Sequence, residues 1–245
     1  MKETVPTASP SPATSSPATP SLVRAVPGGH GERGALVVLE GIDGAGRSTH
    51  VRRLEDALRH AGHAVSRTSL GTSILAAAAI RTARERGDPH VTALLDAADL
   101  IERADLVIRP ALRAGLVVLA DRYAWTPIAR ALARGVGRDW LEEVFSMLPS
   151  PDAVLYLDLD PAAALGRRTR ELRAYEAGMD LGLAGDVRDS YLLFASRLAG
   201  AFEANADRWG FTRVNADGPV EVVDDRLRAA VAPVLEGIGL AAGRA

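Results

Sequence analysis

The first stretch able to form a buried strand is ALVVLE, residues 35–40, an apolar run closed by an acid. A glycine-rich turn follows, and then apolar positions recur at helical spacing: Val51, Leu54 and Leu58 share one face of a segment running from Arg47 to Ala61, and Gly62 stops it. The alternation repeats down the chain. Short strand-like runs stand at 63–68, 116–121, 153–159 and 210–216. Helical spacing predicts helices over 72–86, 91–114, 127–134, 140–148, 186–209 and 220–235. Apolar strands alternating with helices predict an α/β fold, a three-layer arrangement with a five-stranded parallel sheet flanked by helices. Such sheets bind ligands beyond the carboxyl ends of their strands.

Composition sharpens this picture at a few points. The 245 residues suffice for one large α/β domain, expected over residues 35–235, and 47% of them are hydrophobic. Thirteen of the first twenty residues are Pro, Ser or Thr, so residues 1–30 are expected to form a disordered tail and 236–245 a flexible end. A net charge of -2 gives no argument for a nucleic-acid partner, and no apolar run approaches the ~20 residues of a membrane span. With no recognisable targeting pattern, the cytoplasm is the expected compartment. Cysteine is absent, which excludes thiol chemistry and cysteine metal sites, and five scattered histidines make no metal spacing. Lys2 is the sole lysine beside 28 arginines, so any side chain gripping phosphate in the folded region is an arginine.

The chemistry is concentrated in GIDGAGRSTH, residues 41–50. Gly41, Ile42, Asp43, Gly44, Ala45, Gly46, Arg47, Ser48 and Thr49 follow a strand and open a helix in the G-x-x-x-x-G-[basic]-S-T frame. Its glycines let successive backbone N–H groups point inward at a phosphate, and the helix start adds partial positive charge. Ser48 is placed to offer its hydroxyl to a magnesium ion. Arg47 stands where such loops carry lysine. It keeps the charge, but its head is wider and must be aimed. Arg67, after the second strand, and Asp121 and Arg122, after the third, are expected on the same rim. Arg167, Arg168 and Arg170 follow the fourth strand, where by themselves they read as a solvated helix face.

LEGIDGAGRSTH, the DRY triplet at 121–123 and the helix from ALLDAAD to PAL together resemble the thymidylate kinase family across about residues 35–235. The resemblance implies a P-loop kinase that moves the γ-phosphoryl of Mg2+-bound ATP to a nucleoside monophosphate, with dTMP the default acceptor and a homodimer the usual assembly. It implies that Asp43 lies near the acceptor sugar and the transferred phosphoryl, that Asp121 lies near the magnesium shell, and that Arg122 holds the acceptor phosphate. It also implies a lid over about 166–185, with Arg168 among its catalytic arginines and Arg167 and Arg170 closing over ATP. The acceptor side departs from the family. Asp96 and Leu100 stand where the family has a base-stacking phenylalanine and an arginine, so a rebuilt pocket would take its flat face from Tyr123 or Trp125 and its donor from Arg103 or Arg130. Trp125 reads equally as a core residue, and Arg67, matching the arginine of the family's second motif, is a further substrate-binding candidate. Three readings stay open: a dTMP kinase, a kinase for a different small acceptor, and a nucleotide-binding module without catalysis.

Overall fold

The computed structural model describes residues 34–237. The expected tail over 1–30 lies outside the described residues, as does the C-terminal end beyond Gly237. Five strands form one sheet: β1 (Ala35–Glu40), β2 (Val65–Ser69), β3 (Val117–Asp121), β4 (Ala153–Asp158) and β5 (Phe211–Asn215). Their order is β2-β3-β1-β4-β5 and every pairing is parallel, so the expected fold class is the observed one. All six residues of β1 are buried. Because successive side chains point to opposite faces, this requires cover on both.

The helices are α1 (Arg47–His60), α2 (Ala77–Arg86), α3 (Pro89–Arg103), α4 (Arg109–Arg113), α5 (Trp125–Leu132), α6 (Arg138–Phe145), α7 (Pro161–Gly166), α8 (Val187–Trp209) and α9 (Val220–Gly237). α1 and α9 pack on each other and on β1, while α5 bridges α3 and α8. Among the described residues no helix is long and apolar enough to cross a membrane.

Two predicted helices are interrupted for local reasons. The one expected from residue 72 starts only at Ala77, because buried Asp99 accepts from Gly71 N at 2.9 Å and Ser73 N at 2.7 Å and holds that stretch as a turn. The one expected over 91–114 widens into a π-turn at Ala104–Ile108. Pro110 has no N–H to return to the preceding turn, and the widening precedes it.

Trp125 and Tyr123, expected in an acceptor pocket, belong to the core. Both are fully buried. Trp125 meets Phe211 edge-on at 5.4 Å, and the Tyr123 hydroxyl donates to Pro149 O at 2.9 Å. Neither ring has a face to give a ligand. His63 is also buried. Truncating Trp125 to Ala should therefore act on stability, lowering the unfolding free energy by about 3–5 kcal/mol. Urea denaturation of W125A checks this, and an unchanged midpoint would return Trp125 to the ligand pocket.

Candidate nucleotide-binding site

The turn between β1 and α1 depends on glycine for two separate reasons. Gly41, Gly44 and Gly46 have φ of 145°, 92° and 92°, a region side chains avoid. Space is also closed: a Cβ on Gly44 would stand 2.4 Å from Ala164 O, and one on Gly41 2.8 Å from Leu157 O. The loop is thus pressed against the end of β4 and α7, with its amides left around the start of α1.

Arg47 turns inward. Its Nη1 donates to Gly41 O and Ile42 O, and its Nε donates to Asp121 Oδ1 at 3.1 Å. Nη2 lies 3.9 Å from Asp43 Oδ1. A lysine has three donors on one atom and cannot span these acceptors in the same way. Arg47 is a clasp across its own loop, joined to the end of β3. Ser48 completes the link by donating its hydroxyl to Asp121 Oδ2 at 2.5 Å. Burial would raise the Asp121 carboxyl, but the Arg47 charge and the Ser48 hydroxyl hold it below its ordinary value.

Asp43 lies beside this clasp. Arg122 Nη2 donates to its Oδ1, and Arg130 Nη2 to its Oδ2 at 2.8 Å. Burial alone would raise its carboxyl; Arg122, Arg130 and Arg47 outweigh that and hold it well below the carboxylate range. Burial and the nearby Arg47 charge in turn pull Arg122 down to about 10. Arg122 has φ 72°, the one positive value at a non-glycine among the described residues. That conformation costs of order 1–3 kcal/mol and persists where surrounding structure enforces it.

Of the cluster, Asp43, Arg47 and Ser48 line a cleft of about 970 Å³, together with Arg167, Arg168 and Arg170 of the expected lid and Gly218 and Val220. Arg168 bonds Glu176 at 2.9 Å and lies 5.6 Å from the Tyr191 ring, whose hydroxyl donates to Asp43 O. Arg167 reaches Ala216 O at 2.8 Å. Further along the lid, Tyr175 packs under Arg134 at 3.8 Å, with Arg84 at 5.2 Å and Arg130 at 5.9 Å.

Two more acceptor-side expectations are corrected. Arg67 is the central residue of β2, not a residue beyond it, and its Nε pairs with Glu55 of α1 at 3.1 Å, away from the cluster. Arg103 is buried and ties α3 to the end of β2, donating to Thr68 Oγ1 and Ser69 O beside Asp99. Asp96 is buried too, and accepts from Arg84 at 2.9 Å. Sequence reading passed over Glu40, Asp99, Tyr175 and Tyr191. The acid closing the apolar run was the available signal for Glu40; the others are brought in by chain folding alone.

A parallel α/β sheet with a glycine loop, a helix start and converging arginines defines a P-loop nucleotide-binding protein. A sequence profile described as Thymidylate kinase matches residues 39–196. The chain belongs to the thymidylate kinase family. It is 35% identical over 196 residues to a probable thymidylate kinase of Pyrobaculum aerophilum, covering 78% of this chain and 93% of that protein. It is 34% identical over 214 residues to a probable thymidylate kinase of Pyrococcus abyssi, covering 84% of this chain and all of the relative (100%). A thymidylate kinase of Arabidopsis thaliana is 29% identical over 206 residues, covering 81% of this chain and 71% of the plant protein.

The clasp makes a prediction that a simple phosphate ligand does not. Arg47→Ala should lower the unfolding free energy by about 2–4 kcal/mol even without nucleotide, since it removes the charged partner of Asp121 and the donor to two loop carbonyls. Arg47→Lys should recover part of that loss. Chemical denaturation of both variants decides it; a full-strength Arg47→Ala would leave the clasp without energetic weight.

Proposed function

We propose that the chain phosphorylates a nucleoside monophosphate at the expense of ATP, with dTMP to dTDP the first reaction to test. The observation that carries this reading is the meeting of the phosphate loop with Asp121 and Arg122 around Asp43, at the mouth of a cleft bordered by lid arginines. Phosphoryl transfer asks little covalent chemistry of a protein and much positioning and charge neutralisation. The loop from Gly41 to Thr49 and the head of α1 would hold the donor phosphates. Arg167, Arg168 and Arg170, in a lid over about 166–185, would close over them. Arg122 would receive the acceptor phosphate, exchanging its bond to Asp43 for one to the substrate.

The residues present fit Mg2+. Ser48 Oγ and Asp121 Oδ2 are two oxygens 2.5 Å apart at the cleft. Among the described residues no group of three or more His, Asp or Glu side chains forms a metal site of its own. This suits an ion that takes one or two protein oxygens and completes its shell with water and nucleotide phosphates. Magnesium would neutralise phosphate charge there, with Ser48 and Asp121 orienting its shell.

One observation favours the alternatives of another acceptor or binding without transfer. Buried Asp96 pairs with half-buried Arg84 where the resemblance leads one to expect a base pocket, and Tyr175 packs beside Arg84. The homodimer belongs to this proposal as well. Leu94 and Leu106, 50% and 69% exposed, give the α3 side an apolar face, and the cytoplasm remains the proposed compartment.

A coupled ADP-release assay across deoxynucleoside and nucleoside monophosphates tests the function. Transfer to dTMP supports the leading reading, transfer to another acceptor selects the second, and tight ATP binding without transfer selects the third. Arg122→Ala should abolish transfer and leave ATP affinity within about threefold by calorimetry, because the residue serves the acceptor; typical losses for such a charged partner are about 2–5 kcal/mol. Collapse of ATP binding in a folded variant would put Arg122 on the donor side.

A further inference from the structure

Glu40 closes β1 just before the phosphate loop and is fully buried. Its Oε1 accepts from Tyr123 N at 2.8 Å and Thr126 N at 3.3 Å, and its Oε2 accepts from Thr126 Oγ1 at 2.5 Å. The Thr126 oxygen in turn accepts from Arg122 Nη1 at 2.9 Å. A continuous line therefore runs from Glu40 through Thr126 to the Arg122 head, and from its other nitrogen to Asp43. The backbone is fixed as well: Tyr123 N and Thr126 N bracket the turn that follows Arg122, and Arg122 N donates to Leu39 O at 3.0 Å.

These bonds give the left-handed Arg122 its enforcing surroundings. An arginine at φ 72° relaxes toward ordinary backbone angles unless its neighbours forbid it. Glu40 supplies that constraint from the adjacent strand, since Leu39 pairs with Asp121 across β1 and β3. A carboxyl group suits the task because its two oxygens accept, and here they face three donors. Burial pushes its pKa up; the Thr126 hydroxyl, the charge of Arg122 and the Tyr123 amide work against that rise.

We infer that Glu40 is a positioning residue for Arg122: acting through Thr126, it sets the guanidinium that meets the acceptor phosphate. The inference rests on the kinase reading above. Glutamine at position 40 is the informative substitution. It keeps the size, but its amide must turn two donors toward either the backbone N–H groups or the Thr126 hydroxyl, so one side of the network meets a donor. Thr126→Val breaks the line at its middle with the shape unchanged, and Thr126→Ser restores the hydroxyl.

The test measures steady-state kinetics for acceptor and donor separately, with thermal midpoints of each variant. E40Q and T126V should lower kcat about 10- to 100-fold and raise the acceptor KM, a loss of the size that misplacing a catalytic group produces. The Kd for ATP by calorimetry should stay within about twofold of wild type. T126S should recover most of the loss, and the E40Q/T126V double variant should be little worse than either single, as expected of members of one network. Equal losses in donor and acceptor terms, a T126S as poor as T126V, or additive losses would overturn the inference. If wild type transfers to no acceptor, the kinase reading fails by itself, and the Arg122 Nε–Hε signal in 15N NMR decides the positioning claim. A signal sharp in wild type and mobile in T126V supports it, and an unchanged one overturns it.

Discussion

Asp43 carries negative charge at a place where water is scarce, and the guanidinium heads of Arg122 and Arg130 occupy both its oxygens. Charge buried this way is tolerated only when opposing charge and hydrogen bonds surround it. Much of the site geometry meets that demand. α5 delivers Arg130, the strained turn after β3 delivers Arg122, and the head of α1 delivers Arg47. Glu40 and Thr126 then hold the turn that carries Arg122. Three guanidinium heads, of Arg47, Arg122 and Arg130, face two carboxylates, Asp43 and Asp121, with Glu40 buried behind Arg122.

That balance bears on how an anion would be received. Each arginine already has a protein partner, and a phosphate entering the cleft competes with a carboxylate instead of filling an empty socket. Arg168 follows the same pattern through Glu176, and Arg167 through Ala216 O and Asp217. Exchange of one anionic partner for another costs less reorganisation than charging a neutral site, and it keeps the arginines aimed in the absence of ligand. Arg47 is the extreme case. Its bonds to two loop carbonyls give the phosphate loop its shape before any nucleotide arrives.

The side of the cluster toward α2 and α3 has a different character. Arg84 and Asp96 pair there under the lid, and Tyr175 packs against three arginine heads. Two polar atoms of that group, Arg84 Nε and Arg130 Nε, are buried without a hydrogen-bond partner among the described residues. This side of the cluster is built around charge.

The alternation of apolar runs with helical spacing was enough to place the five-stranded parallel sheet. Strands buried on both faces must be apolar throughout, and one-sided helices must repeat near 3.6, so burial writes itself into the sequence. The loop was legible for a related reason: Gly41, Gly44 and Gly46 each answer a backbone demand no other residue meets. Side-chain partners at long range have no such signature. That Arg67 would turn to Glu55, that Tyr123 and Trp125 would sink into the core, and that Arg47 would bond its own loop depends on what the fold brings within a few ångströms. An arginine reads the same in sequence whether it waits for a phosphate or neutralises Asp43. Only the tertiary structure shows which carboxylate or carbonyl each head meets, because the energy of a buried charge is set by its surroundings.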